Sequence, residues 1–182
     1  MDLDLNALTA LHPKMHMDIA SPLAMHAGLS LQSGGHAPGV MLDAHIDAGR
    51  EALALCWVLV DEGLREQTDR KRNTEDGAEA VALALAHERK RWTFSRRLQQ
   101  GEHADYLLSV AENPSARRRL VALEVSGSAT IDTARLREKL AQVGKCWLEE
   151  LQREPDIKAA CVVDFGPPRA RLATTPGSGI AP

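Results

Sequence analysis

Asp105-Tyr106-Leu107-Leu108-Ser109-Val110, followed by Leu120-Val121-Ala122-Leu123-Glu124-Val125-Ser126, is the stretch whose reading decides the fold of this chain. Each half is an apolar run of strand length, and Asn113-Pro114-Ser115 between them supplies turn chemistry. The first run opens on an acid and the second leads into one. Two neighbouring strands would therefore bring Asp105 and Glu124 to one edge of a sheet, where paired carboxylates can hold a magnesium ion.

Toward the C-terminus, Gly127 precedes a long amphipathic pattern. Thr130, Asp132 or Thr133 is its cap, and Leu136, Leu140, Val143, Trp147 and Leu151 form its apolar stripe, with Pro155 as the stop. Ala159 to Phe165 is almost continuously apolar, as expected of a strand covered on both faces. An extended piece around Arg169 to Ala173 comes next, and the Pro-Gly-Ser-Gly composition predicts a flexible tail over 175–182. The Asp164-Phe165-Gly166 tripeptide matches a kinase element by chance, since the glycine loop and catalytic loop of that family are missing.

Toward the N-terminus, Gln99-Gln100-Gly101-Glu102 reads as a turn, and Trp92 and Phe94 alternate with polar residues in a short strand. Before it, Asn73 and Thr74 offer N-caps. Ala78, Val81, Ala82, Leu85 and Ala86 then repeat at helical spacing, predicting about four turns. Val40, Leu42, Ala44 and Ile46 share one strand face, and Leu53, Leu55, Trp57 and Leu59 another, with Asp47-Ala48-Gly49 between them as the turn of a hairpin. A short helix carries Leu64. Residues 1–37 read as an irregular lead-in with short helix around Ser21 to Ala27.

The expected class is α/β, a mixed central sheet flanked by helices, in one domain. Residues 1–37 are the lead-in, 38–73 a hairpin and short helix packed on the core, 74–174 the core, and 175–182 the tail. The 182 residues are 44% hydrophobic, enough to bury a real core. No run approaches the roughly 18 apolar residues of a membrane span, and no secretory signal opens the chain, so a cytoplasmic protein without a membrane partner is expected. Cys56, Cys146 and Cys161 read as reduced core residues.

A net charge of −3 does not mark the whole molecule as a nucleic-acid binder, so local patches must be judged separately. Three basic groups stand out: Arg65, Arg70, Lys71 and Arg72; then Arg89, Lys90, Arg91, Arg96 and Arg97; then Arg117, Arg118 and Arg119. Facing one groove they would suit a phosphate backbone; apart, they are solvated faces. Histidines 12, 16, 26, 36 and 45 cluster in sequence, but Pro13 separates the first two and no acid or cysteine has ligand spacing, which favours surface histidines over a metal set.

From residue 74 the order is helix, strand, strand, strand, helix, strand. With an acid opening the second strand and Glu124-Val125-Ser126 ending the third, this resembles the restriction-endonuclease-like superfamily of PD-(D/E)XK nucleases over residues 74 to 165. The resemblance implies an αβββαβ core with the N-terminal hairpin as an extension. It also implies that Asp105 and Glu124 hold magnesium and that an acid of the first helix assists, Glu88 first and Glu79 second. The motif's lysine is Ser126 here. In some members the lysine comes from a neighbouring element, and Lys139 at the edge of the second helix's apolar stripe is the substitute; a snorkelling lysine at a core boundary is the competing role.

Three functions are compatible with these residues. The first is a magnesium-dependent nuclease acting on DNA, with Asp105, Glu124, Lys139 and Glu88 as its site. The second is an inactive member of the same fold that binds nucleic acid or a protein partner, which the loss of lysine at Ser126 favours. The third places function in the N-terminal hairpin, whose apolar residues could join a partner or a second copy of the chain.

Overall fold

The computed structural model describes residues 2–110, 118–128 and 133–176. In chain order its elements are β1 (Asp2–Asp4), a 3-10 turn (Leu5–Ala7), α1 (Leu8–Leu11), α2 (Met17–Ser33), β2 (Val40–Ile46), β3 (Gly49–Cys56), α3 (Glu62–Gln67) and α4 (Arg70–Lys90). Then come β4 (Trp92–Arg97), β5 (Tyr106–Val110), β6 (Leu120–Ser128), α5 (Thr133–Val143), a second 3-10 turn (Glu149–Leu151), β7 (Ile157–Asp164) and β8 (Arg169–Pro176). The strands form one mixed sheet in the order β1-β3-β2-β8-β7-β6-β5-β4. The α/β class with a mixed sheet is as expected from sequence.

Strand alternation sorts β6 onto two layers. Val121, Leu123 and Val125 face the main core with α4, whereas Ala122 packs with Leu107, Val143, Cys146 and Leu148 on the α5 side. Polar residues occupy the rest of that second face: Glu124 and Ser126 on β6, Lys158 and Asp164 on β7. β6 and β7 run parallel, β5 is antiparallel to both its neighbours, and β8 is antiparallel to β7 but parallel to β2. The Asp164-Phe165-Gly166 tripeptide opens the β7–β8 turn, where Asp164 Oδ1 accepts from the Gly166 N–H at 2.8 Å.

The hairpin forms with Leu42 opposite Leu53 and Val40 opposite Leu55, but β3 stops at Cys56, so Trp57 and Leu59 of the expected strand lie beyond it and Leu59 is exposed. The lead-in differs from its expectation, because α2 occupies Met17–Ser33. Ala20, Leu23, Ala27 and Leu31 form its stripe against α4, and the helices cross so closely that a Cβ at Gly77 would lie 2.8 Å from the Ala27 Cα. Pro22, Gly28 and the small residues mask the period in sequence, and packing on α4 supplies the stability that propensity withholds.

Helix α4 starts a turn earlier than expected. Asp69, rather than Asn73 or Thr74, is its cap, its Oδ1 accepting from the Arg72 N–H at 3.0 Å. Helix α5 ends sooner than expected, at Val143, where the Lys158 ammonium donates to the Gly144 carbonyl at 2.7 Å. The break shifts the phase of the next residues. Cys146 and Leu148 turn inward, and Trp147 and Leu151 are left 45% and 49% exposed. The expected caps Thr130 and Asp132 lie outside the described residues, as does Asn113-Pro114-Ser115. Thr175 and Pro176, assigned to the tail by composition, complete β8, and the rest of that tail lies outside the described residues. Among the described residues no helix is long and apolar enough to cross a membrane.

Two histidines expected at the surface are buried. His26 pairs with Asp76 at 2.8 Å, and His12 is fully enclosed. His12 Nδ1 accepts from the Phe94 N–H at 3.1 Å, so Nε2 carries the proton and donates to the Leu83 carbonyl at 3.1 Å. Burial drives its pKa down to about 4, with the neighbouring His87 adding to the shift. The unfolded chain therefore binds the extra proton first as pH falls. Its contribution is present above about pH 6.5 and is lost toward pH 4, by about 3 kcal/mol in total. Urea unfolding of wild type and His12→Phe across pH 4 to 7 should show a shallower pH dependence in the variant by about that amount; equal slopes would remove His12 from the acid sensitivity.

Candidate functional site

The site lies where the sheet stops being paired. Strand β5 begins at Tyr106, opposite Leu123, so β6 runs on beyond it with only β7 beside it. Asp105 closes the junction. Its N–H donates to the Leu123 carbonyl at 3.0 Å, and its Oδ2 accepts from the Val125 N–H at 2.7 Å. The side chain thus takes the place of a missing strand partner and is aimed along β6 toward Glu124.

Glu124 is buried, and the two carboxyl groups are within hydrogen-bonding reach of each other. Both pKa values are raised, first by burial. In Glu124 the Asp105 charge adds to the rise, to about 7, while Lys139 opposes it. In Asp105 the Val125 N–H, Lys139 and Arg97 oppose the rise. Two buried carboxyl groups this close disfavour the doubly charged state, so the second ionisation of the pair is the costly one.

Helix α5 brings the positive charge. Lys139 Nζ donates to Glu124 Oε1 at 2.6 Å, and Arg135 donates to Ser126 Oγ from Nη2 at 3.0 Å and Nε at 3.2 Å. The pairing is a matter of geometry. Four helical residues rise about 6 Å and two strand residues about 6.6 Å, so an antiparallel helix sets Arg135 over Ser126 and Lys139 over Glu124. Lys139 is drawn in to 14% exposure by the carboxylate rather than snorkelling to solvent.

On the opposite layer, Glu79 of α4 accepts from the Tyr106 hydroxyl and from Arg97, whose guanidinium lies 5.3 Å from the Tyr106 ring centroid. Burial raises its pKa, and the charge of Asp105 contributes to that rise. Glu88 is not part of this group. It lies nine residues along α4, about 13 Å further along the axis, beside His87 at 3.5 Å. Of the two acids expected from the first helix, the weaker candidate is thus the one that the charge of Asp105 reaches. The signal for it in sequence is the alternation of β5, which turns Tyr106 toward α4.

The second basic group is largely spent on ion pairs: Arg89 with Glu51 at 2.6 Å, Lys90 with Asp47, Arg96 with Glu102 at 3.1 Å, Arg97 with Glu79. Arg70 and Lys71 instead stand at the mouth of a cleft of about 680 Å³. That cleft is also lined by Gly127 and Ser128 of β6 and by Arg135.

Among the described residues no group of three or more His, Cys, Asp or Glu has metal-holding geometry. Two carboxylates are nonetheless a sufficient protein contribution for magnesium, which retains several waters and takes further oxygens from a phosphate. The donor chemistry fits, since a divalent cation would offset the burial that raises both acids and the Asp105 charge that raises Glu124 further. Comparison with protein-family models, curated proteins and solved structures finds no match to this chain.

Both acids have folded-state pKa values above their unfolded ones. The stability they contribute is complete below about pH 4 and is lost as pH rises toward 7. Thermal unfolding at pH 8 should therefore show wild type gaining about 3–6 °C with magnesium or manganese at ten times Kd, and Asp105→Asn gaining none. Equal shifts in the two proteins would place cation binding elsewhere.

Proposed function

We propose that this chain is a metal-dependent nuclease acting on DNA, a divergent member of the restriction-endonuclease-like PD-(D/E)XK superfamily. The observation that carries the reading is the convergence of Asp105, Glu124 and Lys139 at the unpaired end of β6, from three separate elements. The sheet supports it: α4, β4, β5, β6, α5 and β7 succeed one another in αβββαβ order, and β4 to β7 are hydrogen-bonded neighbours in sequence order.

In this reading Asp105 and Glu124 hold the divalent cation, which supplies polarisation of the phosphoryl oxygen and a lowered pKa for attacking water. Asp105 is fixed for that task by the Val125 N–H and Glu124 by Lys139. The water oxygen bonds to phosphorus, the bond from phosphorus to one ester oxygen breaks, and a proton ends on the leaving alkoxide. Lys139 places an ammonium where negative charge develops on the phosphoryl group, the task left open by Ser126. Arg135 holds a second positive charge one turn away. Glu79 stands behind the pair on the α4 layer, where it feels the charge of Asp105 and anchors Tyr106 and Arg97.

The second reading, an inactive member of the fold that binds nucleic acid or a protein, is favoured by one observation. Lys139 already occupies a Glu124 oxygen, so the carboxylate is neutralised without a metal.

Plasmid, linear DNA and RNA incubated with magnesium or manganese separate the two. Wild type should cut DNA, Asp105→Ala and Glu124→Ala should abolish cutting, and Lys139→Ala should slow it at least about 100-fold. Intact substrates with wild type in both metals would leave the binding module as the function.

A further inference from the structure

The first turn of α4 is built against its own electrostatics. A helix N-terminus carries partial positive charge and favours acids, yet Arg70, Lys71 and Arg72 succeed the Asp69 cap with no acid among them. Arg72 is drawn to Asp76 at 3.3 Å, and Lys71 approaches Glu75 only at 3.8 Å. Arg70 makes no ion pair among the described residues and opens onto the 680 Å³ cleft with Lys71 and Arg135. Glu75 also lines the hollow and Arg135 pairs with Glu138 at 3.7 Å, so these acids offset Lys71 and Arg135 in part and leave Arg70 as the cation free to meet an anion at the helix N-terminus.

Two buried atoms indicate that the occupant is more than a bare anion. Asn73 is 5% exposed and Ser30 8%; both line the cleft, and neither Asn73 Oδ1 nor Ser30 Oγ has a hydrogen-bond partner. The Asn73 amide is held on one side, because its Nδ2 donates to Thr68 Oγ1 at 2.8 Å, while its carbonyl oxygen stays buried without a partner. An unsatisfied buried acceptor costs about 1–3 kcal/mol, and a ligand hydroxyl or amine recovers it. Inorganic phosphate carries its O–H donors on the same group that the cations hold, whereas a nucleotide offers sugar hydroxyls and base amines apart from its phosphate. Gly127 fixes where the cleft wall stands: a Cβ built there would lie 2.3 Å from the Thr74 carbonyl oxygen, so β6 packs directly against the first turns of α4.

We propose that this cleft is a nucleotide subsite. Arg70, Lys71 and Arg135 receive the phosphate, and Asn73 Oδ1 and Ser30 Oγ receive donors on the sugar or base. Gly127, on the cleft wall, lies three residues beyond Glu124 on β6, about 10 Å, and Arg135 borders both places through Ser126. The subsite would hold a nucleotide of the strand adjacent to the reacting phosphate. That role in the strand rests on the nuclease reading; nucleotide binding itself does not.

The test is equilibrium binding to the full chain in EDTA, so that cutting plays no part. A fluorescent single-stranded DNA 12-mer is the probe, and a deoxynucleoside monophosphate, its nucleoside and inorganic phosphate are competitors. The monophosphate should compete at least ten-fold better than the nucleoside or inorganic phosphate. Arg70→Glu, an exposed position, and Asn73→Asp, checked for retained folding by thermal unfolding, should each weaken the monophosphate at least ten-fold. If phosphate and monophosphate compete equally, or if Arg70→Glu binds the monophosphate as wild type does, the subsite is overturned. If the variants lose nucleotide binding while wild type cuts nothing in magnesium or manganese, the subsite stands and the nuclease reading falls. If wild type cuts and both variants bind and cut unchanged, the nuclease stands and the subsite falls.

Discussion

The bond between Asp105 Oδ2 and the Val125 N–H is the constraint on which the site depends. Sheet edges must satisfy their backbone donors, and a strand that outruns its neighbour needs a substitute partner. A carboxylate performs that role here. It ends β5 without leaving Val125 N–H unpaired, and it fixes an acid against the face on which Glu124 points. The unpaired end of β6 and the carboxylate pair are thus one structural event. Because the pair is buried, its repulsion has to be met by a shared proton, by Lys139 or by a cation. Each of those answers changes the charge of the site by a defined amount, so its occupancy is tied to pH.

The αβββαβ order and the two acids are legible because strands announce their ends. Asp105 and Glu124 flank apolar runs of period two, and reading direction places them at the same end of an antiparallel pair. Lys139 is legible as the flank of a helical stripe. Glu79 is harder, since choosing it over Glu88 requires knowing where α4 lies along the sheet, which depends on the Asp69 cap and the crossing with α2. Helix α2 itself is hidden from a sequence reading for a physical reason. Its face is made of small residues whose value lies in letting Gly77 approach Ala27, a packing term that hydropathy does not register. The overextended reading of α5 fails at Gly144, where a buried Lys158 ends the helix from another strand.

Under the proposed nuclease reading, the exchange of lysine between strand and helix has a simple geometric basis. Position 126 and position 139 approach the same volume from opposite layers, and the helix-to-strand spacing match lets one turn of α5 service two alternate residues of β6. With Arg135 already over Ser126, a lysine at 126 would face a guanidinium across a short gap. A hydroxyl there accepts two donors from Arg135 instead. The serine that departs from the motif is therefore satisfied in its own right, and the positive charge is kept over Glu124.

The three basic groups of the sequence differ in what they meet. Arg89, Lys90, Arg96 and Arg97 are opposed by acids and serve to tie α4 to the hairpin turn and β4 to its neighbours. Arg70 and Lys71 meet a hollow with unsatisfied polar atoms in its wall. Charge counting along the chain treats these groups alike, and the net value of −3 hides both. What separates a structural arginine from one available to a phosphate is whether an acid lies within about 4 Å, and by that criterion Arg70 is the available cation of the cleft, Lys71 and Arg135 being shared with Glu75 at 3.8 Å and Glu138 at 3.7 Å.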